Sequence, residues 1–156
     1  MMVDNKIEMI DFDSTLAPCF KALNLAWLKE YFVVEPSDVD MLSNPQSFII
    51  DKGGYIFFAK REAEIAGTFA LIKIEDGVFE LSKMAVSKDL RGMYIGNQMM
   101  EFCLQKAKEL GMLKLILYSS TKLENAIHLY RKYGFKEIPL DNSEYKRSNI
   151  KMEIIL

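Results

Sequence analysis

Residues 55–87 constrain this chain more than any other stretch. Three runs rich in β-branched and aromatic residues follow one another there: "YIFFAK", "EIAGTFALIKIE" and "VFELSKMAVS". Only the charged turn Arg61-Glu62 and the pair Asp76-Gly77 separate the runs. Asp-Gly between strand-like runs signals a hairpin, because the tight two-residue turn asks both central residues for positive φ. An antiparallel meander is therefore expected, with Gly67 marking a bulge in the second strand. Period-two alternation would send Glu80, Ser82, Met84 and Val86 to one face of the third.

The next forty residues complete a crossover. "KDLRGMYIGNQMM" (88–100) is a glycine-flanked turn running into a helix expected over 95–110. Ile95, Met99, Phe102, Cys103 and Leu110 would form its buried stripe, with Gly111 at the C-terminal cap. "LKLILYS" (113–119) is a continuous apolar run, the mark of an inner strand covered on both faces. Strand, helix and strand of these lengths imply a parallel pair joined by a right-handed crossover. "TKLE" (121–124) matches a capping box from Thr121 to Glu124. The helix it opens would carry Ala126, Leu129, Tyr130 and Tyr133 on one face and stop at Gly134. "IKMEIIL" (150–156) reads as a last strand.

Upstream, "KIEMIDF" (6–12) predicts a short strand. "DST" (13–15) offers caps to a helix with Leu16, Phe20, Leu23, Trp27 and Tyr31 at helical spacing and Pro18 in its first turn. A shorter helix is expected near 36–42, with Pro45 and Gly53-Gly54 as breaks after it. The predicted class is α/β (α+β): a mixed, mostly antiparallel sheet with one parallel pair, flanked by helices. Without a linker or repeat, residues 1–156 are expected to form one domain.

Composition narrows the function. Half of the 156 residues are apolar and 27% are charged, ordinary for a soluble globular protein. A formal charge of −2 gives no electrostatic footprint for nucleic acid or an anionic membrane. No apolar run reaches the length of a membrane span, and the acidic opening "MMVDNKIEMIDFD" lacks the apolar region of a signal peptide. Cys19 and Cys103 have no metal-ligand spacing and read as buried thiols in a reducing cytoplasm. A cytoplasmic protein is expected, with no metal.

The glycine turn leaves two readings open. It can be a plain structural turn, or the free N–H groups of residues 92–96 and the charge of Arg91 can receive a phosphate at the helix N-terminus. Downstream, "AIHLYRKYGF" (126–135) follows "ELSKMAVSKDLRGMYIG" (80–96). Together these stretches resemble the GNAT superfamily of acyl-CoA-dependent N-acetyltransferases. Its signature is a strand ending in Val, then Arg/Gln-x-x-Gly-x-Gly/Ala, then Ala-x-x-Leu-Tyr-x-x-x-Gly-Phe. Two departures stand out. Tyr94 occupies the place of the first motif glycine, and Leu123 stands where many members carry a pantetheine-binding Asn, with Asn125 nearby but out of register.

The resemblance implies the family fold and acetyl-CoA as cosubstrate. The amides of Gly92, Met93, Tyr94, Ile95 and Gly96 would hold its pyrophosphate beside Arg91, and the edge formed by Met84, Ala85 and Val86 would hold its pantetheine arm, with Asn125 nearby. It further implies Glu80 as general base and Tyr130 as general acid in transfer of acetyl to a primary amine by direct attack. The acceptor would be a small-molecule or peptide amine, shaped by residues 13–45 and 136–150. Members often pair as dimers, which leaves a homodimer open, and a non-catalytic acyl-CoA-binding regulatory module is the alternative function. From the residues alone, Tyr130 could equally be a core tyrosine and Glu80 an edge-strand charge. Ser82 is a candidate relay, and Arg131 and Lys132 could face a phosphate or only solvent. His128, the one histidine, falls opposite Ala126 and Tyr130 and is expected in solvent. If residue 94 begins the helix with ordinary negative φ, its ring can swing outward while its N–H faces the cradle.

Overall fold

The structure is a computed structural model that describes residues 6–92, 94–140 and 147–156. Seven strands form one sheet in the order β1-β2-β3-β4-β5-β7-β6. They are β1 (Glu8–Asp11), β2 (Tyr55–Arg61), β3 (Glu64–Glu75), β4 (Val78–Val86), β5 (Lys114–Ser119), β6 (Lys136–Ile138) and β7 (Ile150–Ile155). The helices are α1 (Ala17–Tyr31), α2 (Pro36–Ser43), α3 (Ile95–Glu109) and α4 (Glu124–Lys132). Every neighbouring pair is antiparallel except β4–β5. The expected mixed sheet and its parallel pair are present; β6 and a π-helical turn at Gln46–Ile50 are additions that the sequence pattern did not reveal.

The sheet has a hydrophobic cluster on each side. Phe57, Phe69, Met99, Leu115 and Met152 anchor one of them, against α3. Phe20, Leu28, Leu42, Ile56 and Phe58 anchor the other, against α1 and α2. β2 feeds both, because successive side chains point to opposite faces. Its aromatic run is core, as Phe57 and Phe58 are fully enclosed.

Several local expectations are corrected. At the β3–β4 turn only Gly77 has positive φ (78°); Asp76 does not, and a bulge between Lys73 and Glu75 supplies the extra twist. Gly67 lies beside the β2–β3 bulge as expected, and a Cβ there would come within 2.7 Å of Met99 Sδ, so the glycine also lets α3 lie close. On α1 the buried positions are Phe20, Asn24 and Leu28, a face rotated from the predicted one, and Tyr31 is exposed. Asn24 is accommodated by donating to the Phe20 carbonyl at 3.0 Å. On α3, Met100 and Ala107 join the buried stripe while Leu110 is exposed. The Thr121–Glu124 capping box does not form: α4 has Leu123 at its N-cap without a side-chain bond. Thr121 instead pairs with Asn149, its N–H donating to Oδ1 and its Oγ1 accepting from Nδ2, both at 2.9 Å. That exchange ties the start of β7 to the loop before α4.

Candidate active site

β4 and β5 pair only over Val78↔Lys114, Phe79↔Leu115 and Glu80↔Ile116. Beyond Glu80 the two strands part, and β4 itself changes course. Its pairs with β3 run from Ala70↔Ser82 to Thr68↔Ala85, so Phe69 alone faces both Lys83 and Met84. Lys83 takes a left-handed φ of 56°, a conformation costly for a residue with a Cβ. This bulge breaks the expected alternation from Glu80 to Val86. Glu80, Ser82 and Lys83 line one cavity and Ala85 and Val86 another, with Met84 on both.

Three adjoining cavities run along this line. The first lies before α3, bounded by Val86, Arg91, Gly92, Tyr94 and Gly96. The second is a groove of about 420 Å³ between β4 and the start of α4, which shares Val86, Arg91 and Gly96 with the first. Asn125 and Leu123 line this groove. The third is a smaller inner cavity of about 110 Å³, which contains Glu80 and shares Trp27, Met84 and Tyr130 with the groove. Glu80 and Tyr130, far apart in sequence, thus meet at one cavity. Tyr130 stands at the junction.

The turn before α3 has the geometry of an anion cradle. The Gln98 N–H donates to the Tyr94 carbonyl at 3.1 Å, opening the helical ladder and leaving the N–H groups of Ile95 and Gly96 ahead of it. A Cβ added at Gly96 would meet only Leu129 Cδ2, at an ordinary 3.6 Å, and one at Gly92 would meet nothing within 4 Å. Packing therefore does not require glycine at 96. An open approach to the backbone does explain it. Tyr94 is the surprise: its φ is +59°, not negative, and its ring is 74% exposed. The position keeps a glycine-like backbone while the side chain stands out in solvent. Met93, also expected at the cradle, lies outside the described residues.

Charge around the site is organised by α1 and α2. Arg91 contacts Glu30 at 2.8 Å and lies over the Tyr31 ring. Lys122 donates to the Tyr31 carbonyl at 2.7 Å and sits 3.9 Å over the Phe32 ring. Arg147, whose side chain helps to line the inner cavity, makes a two-point pair with Asp38 at 2.7 and 3.0 Å and covers the same ring. Burial pushes the Asp38 carboxyl up, but the Arg147 hydrogen bonds and the Glu35 N–H outweigh it and hold the group below the usual carboxylate range. Burial lowers the Lys83 ammonium, with Glu80 and Asp38 opposing that shift and Arg147 adding to it. Burial pushes the Tyr130 phenol up to about 12, so its proton is retained at neutral pH. Its ring packs edge-on against Phe135 at 6.0 Å.

Other candidates fall elsewhere. His128 is exposed. Lys132 donates to Asn97 Oδ1 at 3.0 Å, which brings it to the first turn of α3, and Arg131 pairs with Glu137. Neither cysteine lines any of the three cavities, and burial pushes the Cys103 thiol up to about 12. Among the described residues no three or more His, Cys, Asp and Glu side chains gather where they could hold a metal ion, and no helix is long and apolar enough to cross a membrane. Lys83, Arg147, Asp38, Trp27 and Phe32 were not readable as site residues. They carry no motif, and only the folded chain brings them together.

Comparison with known proteins agrees with this fold. The acetyltransferase (GNAT) family matches residues 20–135. The Bacillus subtilis (strain 168) protein named uncharacterized N-acetyltransferase YvbK is 26% identical over 113 residues, which is 70% of this chain and 73% of that protein. Among solved structures, a GNAT-family acetyltransferase of Staphylococcus aureus Mu50 superposes with a TM-score of 0.84 at 22% identity, covering 96% of this chain and 99% of the other. A PaiA N-acetyltransferase of Thermoplasma acidophilum, solved in complex with coenzyme A, has a TM-score of 0.74 at 16% identity, with 97% and 99% covered.

Proposed function

This chain belongs to the acetyltransferase (GNAT) family, and on that premise we propose that it moves an acetyl group from acetyl-CoA to a primary amine by direct attack in a ternary complex. One observation carries the reading. The cavity before α3 adjoins the groove along Val86, Arg91 and Gly96, and the groove meets the inner cavity at Trp27, Met84 and Tyr130, behind which lies Glu80. A long phosphorylated carrier and a small acceptor can approach that junction from opposite sides.

Bound acetyl-CoA supplies an activated acyl group as a thioester. The chain's own residues supply the rest. The Ile95 and Gly96 amides, with those of Gly92 and Tyr94, face the pyrophosphate, and Arg91 adds a full charge. Met84, Ala85 and Val86 border the pantetheine, with Asn125 on the opposite wall of the groove. Glu80 takes the proton that an amine must lose to attack, with Ser82 within the same cavity as a relay. Tyr130 keeps its proton and presents it to the departing sulfur. Direct transfer is favoured because the cavities present no thiol to carry the acetyl group.

The reading is tested by free-thiol release from acetyl-CoA across a broad panel of primary amines, with the N-acetyl product identified by mass. Amine-dependent release supports it. Coenzyme A that raises the melting temperature, with no thiol released for any amine, would instead indicate a binding module.

A further inference from the structure

Glu80 stands in an enclosed place, with only 3% of its surface exposed. Burial favours the neutral acid, and a neutral acid takes no proton from an amine. A base at this position therefore needs a cation beside it. Arg147 lines the same cavity but is committed elsewhere: Asp38 holds its two terminal nitrogens at 3.0 and 2.7 Å, and Glu35 lies 3.9 Å from Nη2. Among the described residues, Lys83 is the other cation of the lining.

Lys83 reaches that cavity against the pleat of its strand. Regular alternation from Glu80 would keep Ser82 on the same face and send Lys83 to the opposite one. There Phe69, which faces Lys83 across the strands, belongs to the apolar cluster against α3. The bulge and the left-handed φ of 56° bring Lys83 back to the cavity of Glu80. The residue thus bears two penalties, a backbone that disfavours any Cβ and a partly buried ammonium. Strain of this kind persists where the surrounding structure fixes it, and it gathers at functional sites. Burial lowers the pKa of the ammonium, and of the charges around it Glu80 opposes that shift most, ahead of Asp38. The other elements bring Tyr118 from β5, Tyr130 from α4 and Arg147 from the chain before β7, with Asp38 of α2 behind it. β3 sets Ile72 opposite Glu80, and α1 lines the cavity with uncharged side chains.

From this arrangement, and resting on the transferase reading above, we infer that Lys83 is a positioning residue: its ammonium, carried into the cavity by the bulge, pairs with the enclosed Glu80 and keeps it the carboxylate that takes the proton of the acceptor amine. The strained turn then serves the reaction by supplying a countercharge that a regular strand would have pointed into the apolar core.

The test reads Glu80 with and without that cation. Protein isotope-labelled at the glutamate carboxyls is titrated by NMR as the parent, Lys83→Met and Lys83→Arg, with the Glu80 signal assigned by its loss in Glu80→Gln. Lys, Met and Arg each carry a Cβ, so the backbone penalty is common to the set and the charge is what differs. The Glu80 carboxyl should titrate about one to three pH units higher in Lys83→Met, and near the parent's value in Lys83→Arg. Should Lys83→Met fail to fold, Lys83→Gln serves, with the same upward shift expected. The pH dependence of kcat is then measured by thiol release with one amine at saturation. Its acid limb should move up with the carboxyl in Lys83→Met, a loss of about tenfold or more at the acid end, and return in Lys83→Arg. A carboxyl that titrates alike in the parent and Lys83→Met overturns the inference, as does an acid limb that stays while the carboxyl moves. A shifted carboxyl with no thiol released for any amine would keep the Lys83–Glu80 pair and remove the transferase reading.

Discussion

Arg91, the first residue of the glycine turn, is tied to the end of α1 by Glu30, whose carboxylate oxygens lie 2.9 and 2.8 Å from its Nη1. The pair bridges the cavity before α3 and the helix that walls the groove. Both side chains are about a third exposed, so the bond itself contributes under about 1 kcal/mol to stability. Its consequence is positional: the guanidinium is held at the rim of the cradle. Arg91→Gln should therefore leave the melting temperature nearly unchanged and weaken acetyl-CoA binding about tenfold, roughly 1.4 kcal/mol. The loss should shrink as salt is raised, since charge is what has been removed. Calorimetric titrations at two ionic strengths check this, and an equal affinity at low salt would take Arg91 out of the cofactor site.

The cradle makes a contrasting pair of predictions. At Gly96 the protein leaves room for a side chain. If the cradle holds the pyrophosphate, acetyl-CoA should raise the parent's melting temperature, and Gly96→Glu should fold normally yet lose that rise. At position 94 the left-handed φ penalises tyrosine by about 1–2 kcal/mol. Tyr94→Gly removes that penalty but gives the unfolded chain more freedom, about 0.4–1 kcal/mol in the other direction. Stability should therefore rise by at most about 1.6 kcal/mol, and acetyl-CoA affinity should stay within about tenfold. Binding that appears only in the glycine variant would mean that Tyr94 plugs the cradle.

The Asp38–Arg147 pair carries a pH signature. The folded-state pKa of Asp38 is depressed, so its stabilisation is present above the unfolded value of about 3.9 and is lost as pH falls through the folded value. Asp38→Asn should cost about 1–3 kcal/mol at pH 7, because Arg147 loses a charged partner. The gap to the parent should narrow below pH 4. Urea unfolding at pH 7 and pH 3 reads both values, and a gap of equal size at the two would contradict the assignment.

Thiol accessibility separates the cysteines. Cys103 is wholly enclosed and its thiol is pushed up to about 12, whereas Cys19 is half-buried near the start of α1. A water-soluble disulfide reagent should modify one thiol in the native protein and two after unfolding. Two fast thiols in the native state would show that α3 is not packed as described.

The legible parts of this fold were those with strong local chemistry. The apolar runs of β2, β3 and β5 and the glycine turn before α3 each satisfy a pattern that few alternatives share. What escaped depends on distant partners. Thr121 had the spacing of a cap, but Asn149, 28 positions away, takes it instead. Lys83 and Tyr94 have little intrinsic preference for positive φ, so neither the bulge nor the left-handed turn has a signal in residue type. Glu80 and Tyr130 could be singled out by motif, whereas Arg147 and Asp38, 109 positions apart, form their pair only through the packing of α2 against the chain before β7.

The most direct measurement is the turnover of Tyr130→Phe beside its acetyl-CoA affinity. The substitution keeps the ring on Phe135 and removes only the hydroxyl at the junction of the groove and the inner cavity. If Tyr130 delivers a proton to the departing sulfur, kcat should fall about 10²-fold while the dissociation constant for acetyl-CoA stays within about twofold. A folded variant with the parent's kcat would make Tyr130 a packing residue and move the site of transfer away from the junction.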